Sequence, residues 1–448
     1  MVNQSIFKAY DIRGIYPDDI NEEIALKIGQ AFVEFTKAKI VVVGRDARQS
    51  SPELTEAVIQ GIISMGADVV DIGLCSTPIF NFAVAENTGH EGGIMITASH
   101  NPGEYNGFKM DLNDGLPIGR DSGMEEIKNL VIADNFSLSK VQGQVKNRDY
   151  LLEYLERIFA LVDKGEIKKL KIVVDTANGM GGLTMPKVFE RLNCELAPLY
   201  FDLDGTFPNH EANPLKEKNL ADLKKKVLEI KADLGVSIDG DADRIGFVDE
   251  KGETIPGDFM TALIAKELLK KNPGEIVLYD LRSSNIVPEI IKENGGKPKM
   301  SVVGHALIKK MMKETKSLFA GELSSHFYYR NFYDVESSDL TLLLVLSLLS
   351  RENKKMSEII QPMKKYFQSG EINSEVEDKE RVMKKLEEIY KDKAKNISHI
   401  DGIRIDLDGW WFNVRPSNTE PLLRLNLEAE NKKLMEENRD EVLKIIRG

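Results

Sequence analysis

Three segments of this 448-residue chain repeat one plan, and the repetition constrains the fold more than any single motif does. Each segment begins with a β-branched run, continues through a polar loop that carries an aspartate, and ends in an amphipathic helical stretch. The runs start at Ile40, Ile172 and Ile276, and the loop aspartates are Asp46, Asp175 and Asp280. Strand, helix and strand in succession predict βαβ units with parallel strands. Their wide and irregular spacing indicates repeated domains, not a solenoid.

The C-terminal part of the chain follows a different pattern. Short alternating runs, GIRIDLDG, WWFNVRPS and LLRLNLEA, lie between two charged helical stretches. This pattern predicts an antiparallel sheet with helices on one face. We therefore expect an α/β protein with boundaries near residues 150, 255 and 368. The corresponding domains are 1–150, 151–255, 256–368 and 369–448.

Composition and charge limit the possible functions. A net charge of −12 provides no field that attracts nucleic acid or an anionic membrane, so neither is expected as a partner. The two cysteines, Cys75 and Cys194, are far apart and favour neither a disulfide framework nor a zinc site. The apolar run 340–349 is half of the roughly 20 residues that span a bilayer, so it predicts a buried helix. The N-terminus lacks a signal-peptide pattern, and a cytoplasmic location is expected by elimination.

The stretch TASHNPGEYNGFK places Ser99 and His100 side by side among turn residues. Adjacent Ser and His do not make a catalytic triad, because a fold normally brings a nucleophile and its base together from separate segments. The glycines and the Asn-Pro and Asn-Gly pairs predict that Ser99 lies at an exposed loop tip, with Lys109 returning toward it. From this stretch alone, a surface loop with an incidental Ser and His is an open alternative.

The stretch DGDADR alternates three aspartates with small residues and ends in Arg244. Two such carboxylates about 4 Å apart repel by roughly 4 kcal/mol at an effective dielectric of about 20, and a hard divalent cation relieves that repulsion. Asp239, Asp241 and Asp243 also match EF-hand spacing, but Arg244 stands where that loop needs glycine. Arg244 suits an anionic ligand shared with the metal, such as phosphate. A solvated strand edge is the alternative.

Two further polar stretches offer ligand-binding groups. In FAGELSSHFYY, Glu322 and Ser324 point to the same side of an extended backbone and could hydrogen-bond vicinal sugar hydroxyls. In VRPSNTEP, a turn between two strands offers the components of a phosphate cradle, namely a guanidinium, hydroxyls, an amide and backbone N–H groups. These groups belong to Arg415, Ser417, Asn418 and Thr419. An amphipathic edge segment and an ordinary turn are the respective alternatives.

In this order, TASHNP, DGDADR, GE-x-S and RPSNTEP resemble the α-D-phosphohexomutase superfamily, specifically its phosphomannomutase/phosphoglucomutase branch. The resemblance extends from FKAYDIRG to RPSNTEP. It implies three related mixed α/β sandwich domains and a smaller C-terminal α+β domain with an antiparallel sheet, around a central cleft. Each domain would contribute one loop to the cleft, and closure of the fourth domain would exclude water from the cleft during transfer.

The resemblance also implies roles at the phosphate-transferring end. Ser99 is similar to the family's phosphoserine, which donates and regains a phosphoryl group. Asp239, Asp241 and Asp243 match the ligands of Mg²⁺, with an oxygen on Ser99 completing the protein side of the coordination. Arg244 resembles the arginine that steadies the transferring phosphoryl group. Lys109 matches a lysine suited to proton transfer, and His100 accompanies it in the motif.

Other matches concern the sugar and its second phosphate. Glu322 and Ser324 resemble the family residues that bind the sugar hydroxyls. A second loop is similar to the family loop that binds the phosphate group that does not react, and it contains Arg415, Ser417, Asn418 and Thr419. Five further positions match active-site residues of the family, namely Tyr10, Arg13, Arg282, His305 and His326. Arg282 replaces a lysine of the family, and Ser325 replaces a glycine. An Arg side chain preserves the charge of Lys but changes its geometry, so substrate preference stays open.

The activity implied by the resemblance is interconversion of hexose 1-phosphate and hexose 6-phosphate, with mannose or glucose as the sugar. It would proceed through phosphorylated Ser99 and a hexose 1,6-bisphosphate, with Mg²⁺ as cofactor. The alternatives are a phosphoglucosamine mutase and a metal-dependent sugar-phosphate phosphohydrolase. A calcium-binding or structural protein is a further alternative. Arg244 argues against it, because it stands where a calcium-binding EF-hand loop needs glycine. A monomer or a small homo-oligomer is expected.

Overall fold

Three successive mixed sheets share one strand plan in the computed structural model, which describes residues 2–86, 89–163, 165, 167–417 and 422–448. In each sheet a central strand pairs in parallel with a neighbour on either side. These central strands, Ile40–Arg45, Lys171–Asp175 and Ile276–Asp280, are the three predicted β-branched runs. Such runs suit strands that are covered on both faces.

The first sheet has the strand order β1-β5-β4-β2-β3-β6, and β5 is antiparallel to both of its neighbours. Its strands are β1 (Ile12–Ile15), β2 (Ile40–Arg45), β3 (Asp68–Leu74), β4 (Gly92–Ile96), β5 (Tyr105–Leu112) and β6 (Val145–Asn147). The helices beside it are α1 (Glu22–Thr36), α2 (Ser51–Ser64), α3 (Thr77–Ala85) and α4 (Met124–Ala133).

The second sheet repeats the plan in the order β11-β10-β9-β7-β8. Its strands are β7 (Lys171–Asp175), β8 (Glu195–Leu199), β9 (Leu234–Ile238), β10 (Ile245–Val248) and β11 (Thr254–Ile255). The accompanying helices are α5 (Leu151–Ala160), α6 (Gly181–Phe189) and α7 (Ala221–Ile230).

The third sheet repeats it again in the order β13-β12-β14-β15-β16. Its strands are β12 (Ile276–Asp280), β13 (Lys297–Ser301), β14 (Phe319–Gly321), β15 (Phe327–Tyr329) and β16 (Val335–Glu336). The helices are α8 (Gly257–Lys271), α9 (Ile286–Glu293), α10 (His305–Thr315), α11 (Ser338–Glu352) and α12 (Met356–Ile360).

The C-terminal sheet is antiparallel throughout its described pairings, with the order β17-β22-β21-β20-β19 and with β18 also paired to β22. Its strands are β17 (Phe367–Gln368), β18 (Ile372–Glu375), β19 (Asn396–Ser398), β20 (Ile403–Asp406), β21 (Trp410–Pro416) and β22 (Leu422–Ala429). Helices α13 (Lys379–Tyr390) and α14 (Lys432–Arg447) share one apolar core with this sheet. The predicted fold class is therefore confirmed, while the boundaries near 150, 255 and 368 stay predictions.

The apolar run 340–349 lies within α11, as the sequence predicts. The Ser337 hydroxyl caps this helix by accepting the Leu340 N–H at 3.1 Å. We call each sheet with its accompanying helices a region. Because α11 packs against α8 of its own, third region and against α5 and α6 of the second, it joins these two regions. Within the described residues, no helix is both long and apolar enough to cross a membrane.

The four polar stretches singled out above all connect neighbouring antiparallel strands. TASHNP lies between β4 and β5, DGDADR between β9 and β10, and ELSSH between β14 and β15, which is the same connection in three related sheets. The fourth stretch lies between β21 and β22 and is described as far as Ser417. Repetition of one fold thus presents the first three motifs at corresponding hairpins, and the fourth lies at a hairpin of the C-terminal sheet.

Candidate active site

Ser99 lies in the β4–β5 connection with its backbone in the left-handed region, at φ 50°. Its N–H donates to Thr97 Oγ1 at 2.9 Å, and the residue is only 1% exposed. The prediction of an exposed loop tip is therefore wrong. The loop packs against the second region, where a β-carbon added to Gly240 would lie 2.4 Å from the Ser99 carbonyl oxygen. Gly240 is thus required for this close approach.

Arg48, which follows β2, holds the serine loop in place. Its buried guanidinium donates to four backbone carbonyls of that loop, those of Ser99, Asn101, Pro102 and Tyr105, at 2.9, 2.7, 2.6 and 2.9 Å. Arg48 Nε also pairs with Asp46 at 3.1 Å. Because a left-handed non-glycine residue is costly by itself, these bonds account for the conformation of Ser99.

The Ser99 hydroxyl reaches across to the DGDADR loop. Its Oγ donates to Asp239 Oδ2 at 2.9 Å and lies 3.2 Å from His100 Nδ1. One carboxylate oxygen from each of Asp239, Asp241 and Asp243 lies within 4.8 Å of the others. All three aspartates are buried, which rules out the solvated strand edge.

Lys109 compensates part of this negative charge. Its Nζ lies 2.6 Å from both Asp241 Oδ2 and Asp243 Oδ2. Burial lowers the pKa of Lys109, but these two carboxylates outweigh burial and raise the pKa above its ordinary value. Burial, followed by Asp243 and Asp241, raises the pKa of Asp239 well above its ordinary value. The raised pKa of Asp239 reflects its burial and a repulsion among the three carboxylates that the Lys109 ammonium does not fully relieve.

The donor set of this cluster fits a divalent metal ion. Asp241 Oδ1 is buried and accepts no hydrogen bond from any residue that the structure describes. Its other oxygen, Oδ2, accepts from the Thr77 hydroxyl at 2.7 Å. All the ligand atoms are oxygens, and hard oxygen ligands are those that Mg²⁺ prefers.

Two arginines lie between this buried cluster and the cleft. The Arg244 N–H donates to Asp239 Oδ1 at 3.0 Å, and its guanidinium lines the cleft. Arg13 pairs with Asp11 at 2.7 Å and donates to Asn101 Oδ1 at 2.6 Å. Burial, then Arg244 and Arg13, lowers the pKa of the His100 imidazole well below its ordinary value.

The sugar-loop candidates form a network that reaches back to the aspartates. Ser324 Oγ donates to Glu322 Oε2 at 3.0 Å, and His326 Nε2 lies 3.2 Å from Asp243 Oδ1. Burial would lower the pKa of His326, but Asp243 and Glu322 raise it to about 9. His326 therefore links the second and third loops as a cation between carboxylates.

Two of the remaining candidates adjoin this network. The Tyr10 hydroxyl donates to the Val303 carbonyl at 3.0 Å, and the Tyr10 ring meets the His305 ring edge-on at 5.7 Å. Ser325, the residue that departs from the family pattern, has a φ of 68°. A glycine adopts that conformation without strain, which gives the expected glycine a physical reason.

At the far end of the cleft, arginines from two regions surround one carboxylate. Arg415 Nη2 lies 2.9 Å from Glu371 Oε2, Arg424 Nη1 lies 3.4 Å from Glu371 Oε1, and Arg282 Nη1 lies 3.9 Å from Glu371 Oε2. Arg282 is also paired with Asp280 at 2.7 Å. Ser417 follows β21 beside this cluster, whereas Asn418 and Thr419 lie outside the described residues.

These groups share a cleft of about 950 Å³ lined by all four regions. Among the candidates its lining includes Tyr10, Arg13, Arg244, Arg282, His305, Glu322, Ser324, His326, Arg415 and Ser417. Ser99 and the aspartates lie behind this surface, joined to it through Arg13 and Arg244.

Sequence reasoning missed Arg48, Thr77, Glu371 and Arg424. The pattern GRDAR could have pointed to Arg48, because it repeats the strand-end aspartate and arginine of YDLR, which contains Arg282. Glu371 offers no comparable signal, since its arginine partners come from other strands and another region.

Comparison with known proteins agrees with this arrangement. Residues 4–137, 150–252 and 256–366 match phosphoglucomutase/phosphomannomutase alpha/beta/alpha domains I, II and III, and residues 371–445 match the C-terminal domain described for the same proteins.

The chain is 40% identical over 448 residues to a phosphomannomutase of Methanocaldococcus jannaschii, covering 98% of this chain and 97% of the relative. It is 37% identical over 444 residues to a phosphohexose mutase of Xanthomonas campestris, covering 99% of both. A crystal structure of a phosphoglucomutase/phosphomannomutase family protein from Burkholderia thailandensis superposes with a TM-score of 0.92 at 34% identity, covering 99% of this chain and 97% of the other.

Proposed function

The chain belongs to the phosphoglucomutase/phosphomannomutase family of enzymes, and from that premise we propose that it interconverts hexose 1-phosphate and hexose 6-phosphate, with mannose or glucose as the sugar. Phosphorylated Ser99 gives its phosphoryl group to the free hydroxyl of the substrate and forms a hexose 1,6-bisphosphate. The bisphosphate turns over in the cleft and returns its other phosphoryl group to Ser99 Oγ. Each transfer exchanges one P–O bond for another, so no water is consumed.

The observation that carries this proposal is the hydrogen bond from Ser99 to Asp239, at 2.9 Å. It joins the serine loop of one region to the carboxylate cluster of another. A phosphoryl group on Ser99 would lie beside three carboxylates, an arrangement that is unfavourable without a cation. Asp239, Asp241 and Asp243 would hold Mg²⁺ together with an oxygen on Ser99. Bound there, the ion would neutralise charge on the transferring phosphoryl group.

The rest of the cleft supports a substrate that binds in two orientations. Arg415, Ser417 and Arg282 would grip the phosphate that is not reacting, while Glu322 and Ser324 would bind the sugar hydroxyls. Arg244, on the cleft wall beside Asp239, would steady the transferring phosphoryl group. These cations supply a local pocket for an anionic substrate in a protein of net negative charge.

Proton exchange with the sugar hydroxyl has two candidates near Ser99. Lys109 lies among the aspartates, and His100 Nδ1 lies 3.2 Å from Ser99 Oγ. His100 is near enough to the serine to face an incoming hydroxyl, and Lys109 contacts the same carboxylate cluster as Ser99. Separate Lys109→Met and His100→Gln variants would divide the role between them.

The test is a coupled assay on mannose, glucose and glucosamine 1-phosphates with Mg²⁺ and a catalytic amount of hexose 1,6-bisphosphate. Ser99→Ala should lower turnover by roughly a thousandfold or more, because the phosphoryl carrier is lost. Ser398→Ala, outside the described cleft lining, is the matched control and should keep wild-type turnover. Substantial mutase activity of Ser99→Ala would refute the role of Ser99.

The same assay separates the alternatives. Turnover of glucosamine 1-phosphate alone would favour a phosphoglucosamine mutase. Release of inorganic phosphate faster than isomerisation would favour a phosphohydrolase. Failure on all three sugars would overturn the proposed function.

A further inference from the structure

Glu371 lies where the third region passes into the C-terminal sheet. It stands between β17 and β18, and β18 pairs with β22 on the side opposite to β21. Its carboxylate is 29% exposed and belongs to the cleft wall. The family resemblance assigns it no role, and the mechanism above does not use it.

The two arginines nearest to Glu371 require an anion. Arg415 on β21 and Arg424 on β22 are direct register partners, so their side chains share one face of the sheet. Like charges directly opposite each other destabilise an antiparallel pair. Glu371 lies against both, at 2.9 and 3.4 Å, and Arg282 of the third region adds a third positive group at 3.9 Å. The Glu371 carboxylate therefore lies against three guanidinium groups, and that of Arg282 is also paired with a second carboxylate, Asp280.

A carboxylate satisfies these donors incompletely. Arg415 is only 8% exposed, yet its Nε makes no hydrogen bond to any residue that the structure describes. The contact of Glu371 with Arg282, at 3.9 Å, is an ion pair too long for a hydrogen bond. A phosphate group brings three acceptor oxygens and nearly two negative charges at neutral pH. It would satisfy the cluster better than a carboxylate does.

Building on the proposed function, we propose that Glu371 is an internal competitor for the distal phosphate of the substrate. In the free enzyme its carboxylate occupies the arginine cluster and holds Arg415 near Arg282. A phosphomonoester displaces it, so part of the binding energy is spent on the exchange and the apparent affinity is reduced. Weaker binding suits this enzyme, because the distal phosphate of the bisphosphate must dissociate from the arginine cluster before the bisphosphate can reorient in the cleft.

The decisive variant is Glu371→Gln, which keeps the size of the side chain and removes its charge. We expect inorganic phosphate to bind about tenfold more tightly to this variant, measured calorimetrically in low-salt chloride buffer. The KM for hexose 1-phosphate should fall by a similar factor, and kcat should fall as well. The matched control is Glu275→Gln, because Glu275 pairs with Arg330 at 2.8 Å away from the cleft lining and is 35% exposed. It should leave phosphate affinity unchanged.

A phosphate affinity of Glu371→Gln that is equal to or weaker than that of the wild type would overturn the role of Glu371. A second measurement needs no variant, namely crystal structures of the wild-type enzyme with and without inorganic phosphate. We expect phosphate at Arg415 with the Glu371 carboxylate moved away from it, and a retained contact of about 2.9 Å beside bound phosphate would contradict the exchange. If the wild type isomerises no hexose phosphate, the proposed function fails, whereas these phosphate measurements still decide the role of Glu371.

Discussion

The chain turns sharply after β2 and after β12, and these two turns, here called corners, have the same local chemistry but different functions. In each, an aspartate at or just after the end of the central strand accepts the backbone N–H two residues later, at 3.0 Å for Arg48 and 2.8 Å for Arg282. In each, it also pairs with the guanidinium of that residue. The side chain of Arg48 is fully buried and braces the serine loop, whereas that of Arg282 is 10% exposed and faces the cleft. Tertiary surroundings decide which use the corner acquires.

The second sheet has the same corner without the arginine. Asp175 Oδ1 accepts the Ala177 N–H at 2.9 Å, and its Oδ2 lies 3.0 Å from His210 Nε2. The backbone turn is thus common to the three sheets, and the side chain that shares the aspartate differs. A repeated fold supplies the anchor, and the neighbouring loops select its partner.

Arg48→Lys should have the largest effect on this comparison. Lysine offers three donors and arginine five, so buried carbonyls of the serine loop lose their partners, at about 1–3 kcal/mol each. We expect the free energy of unfolding, measured in urea, to fall by about 3 kcal/mol. The kcat/KM should fall about a hundredfold, because Ser99 is displaced from its reacting position. Wild-type stability in this variant would mean that the loop holds its shape without Arg48.

Arg282→Lys should have a smaller effect of a different kind. The charge in the cleft is kept, but the forked pairing with Asp280 is lost. We expect KM for hexose 1-phosphate to rise about tenfold, which is about 1.4 kcal/mol of binding, with kcat and the urea midpoint close to wild type. Initial rates at several substrate concentrations separate KM from kcat. A loss of stability as large as that of Arg48→Lys would show that both corners are structural braces.

Local sequence signals predict most of the fold. The three β-branched runs, the alternating C-terminal strands and the apolar run 340–349 specify elements whose periodicity depends on which faces are buried. The structure confirms each of them. The sequence also brings out Asp46, Asp175 and Asp280 as strand-end aspartates, but nothing local distinguishes the brace at Arg48 from the cleft residue Arg282.

The candidate site is predicted less completely, because its geometry depends on contacts between regions. Turn residues predict the backbone of the serine loop but not that Arg48 and the DGDADR loop bury Ser99, which is 140 residues from Asp239. Glu371 is 44 residues from Arg415 and 53 from Arg424, and a single glutamate in SGEINSEV gives no sign of them. Residue chemistry therefore predicts what the loops contain better than where they meet.

The corner of the second sheet provides the smallest and most specific test, through the pairing of His210 with Asp175. Burial lowers the pKa of His210, but the hydrogen bond and charge of Asp175 outweigh burial and raise it. A raised pKa in the folded protein means that this pair contributes its full stability below the unfolded pKa of about 6.5 and loses it as pH rises through the folded pKa. His210→Gln should therefore lower the free energy of unfolding by about 1 kcal/mol near pH 6, and by less near pH 8.5.

Urea unfolding of the wild type and His210→Gln at both pH values measures this difference. His399→Gln is the matched control, because His399 pairs with Glu387 at 3.1 Å on the surface, where the imidazole is 61% exposed. An exposed pair contributes little to stability, so this control should follow the wild type at both pH values. If His210→Gln costs the same at both, the imidazole acts through packing and not through charge. The corner of the second sheet would then be only a backbone anchor, unlike the two corners that hold an arginine.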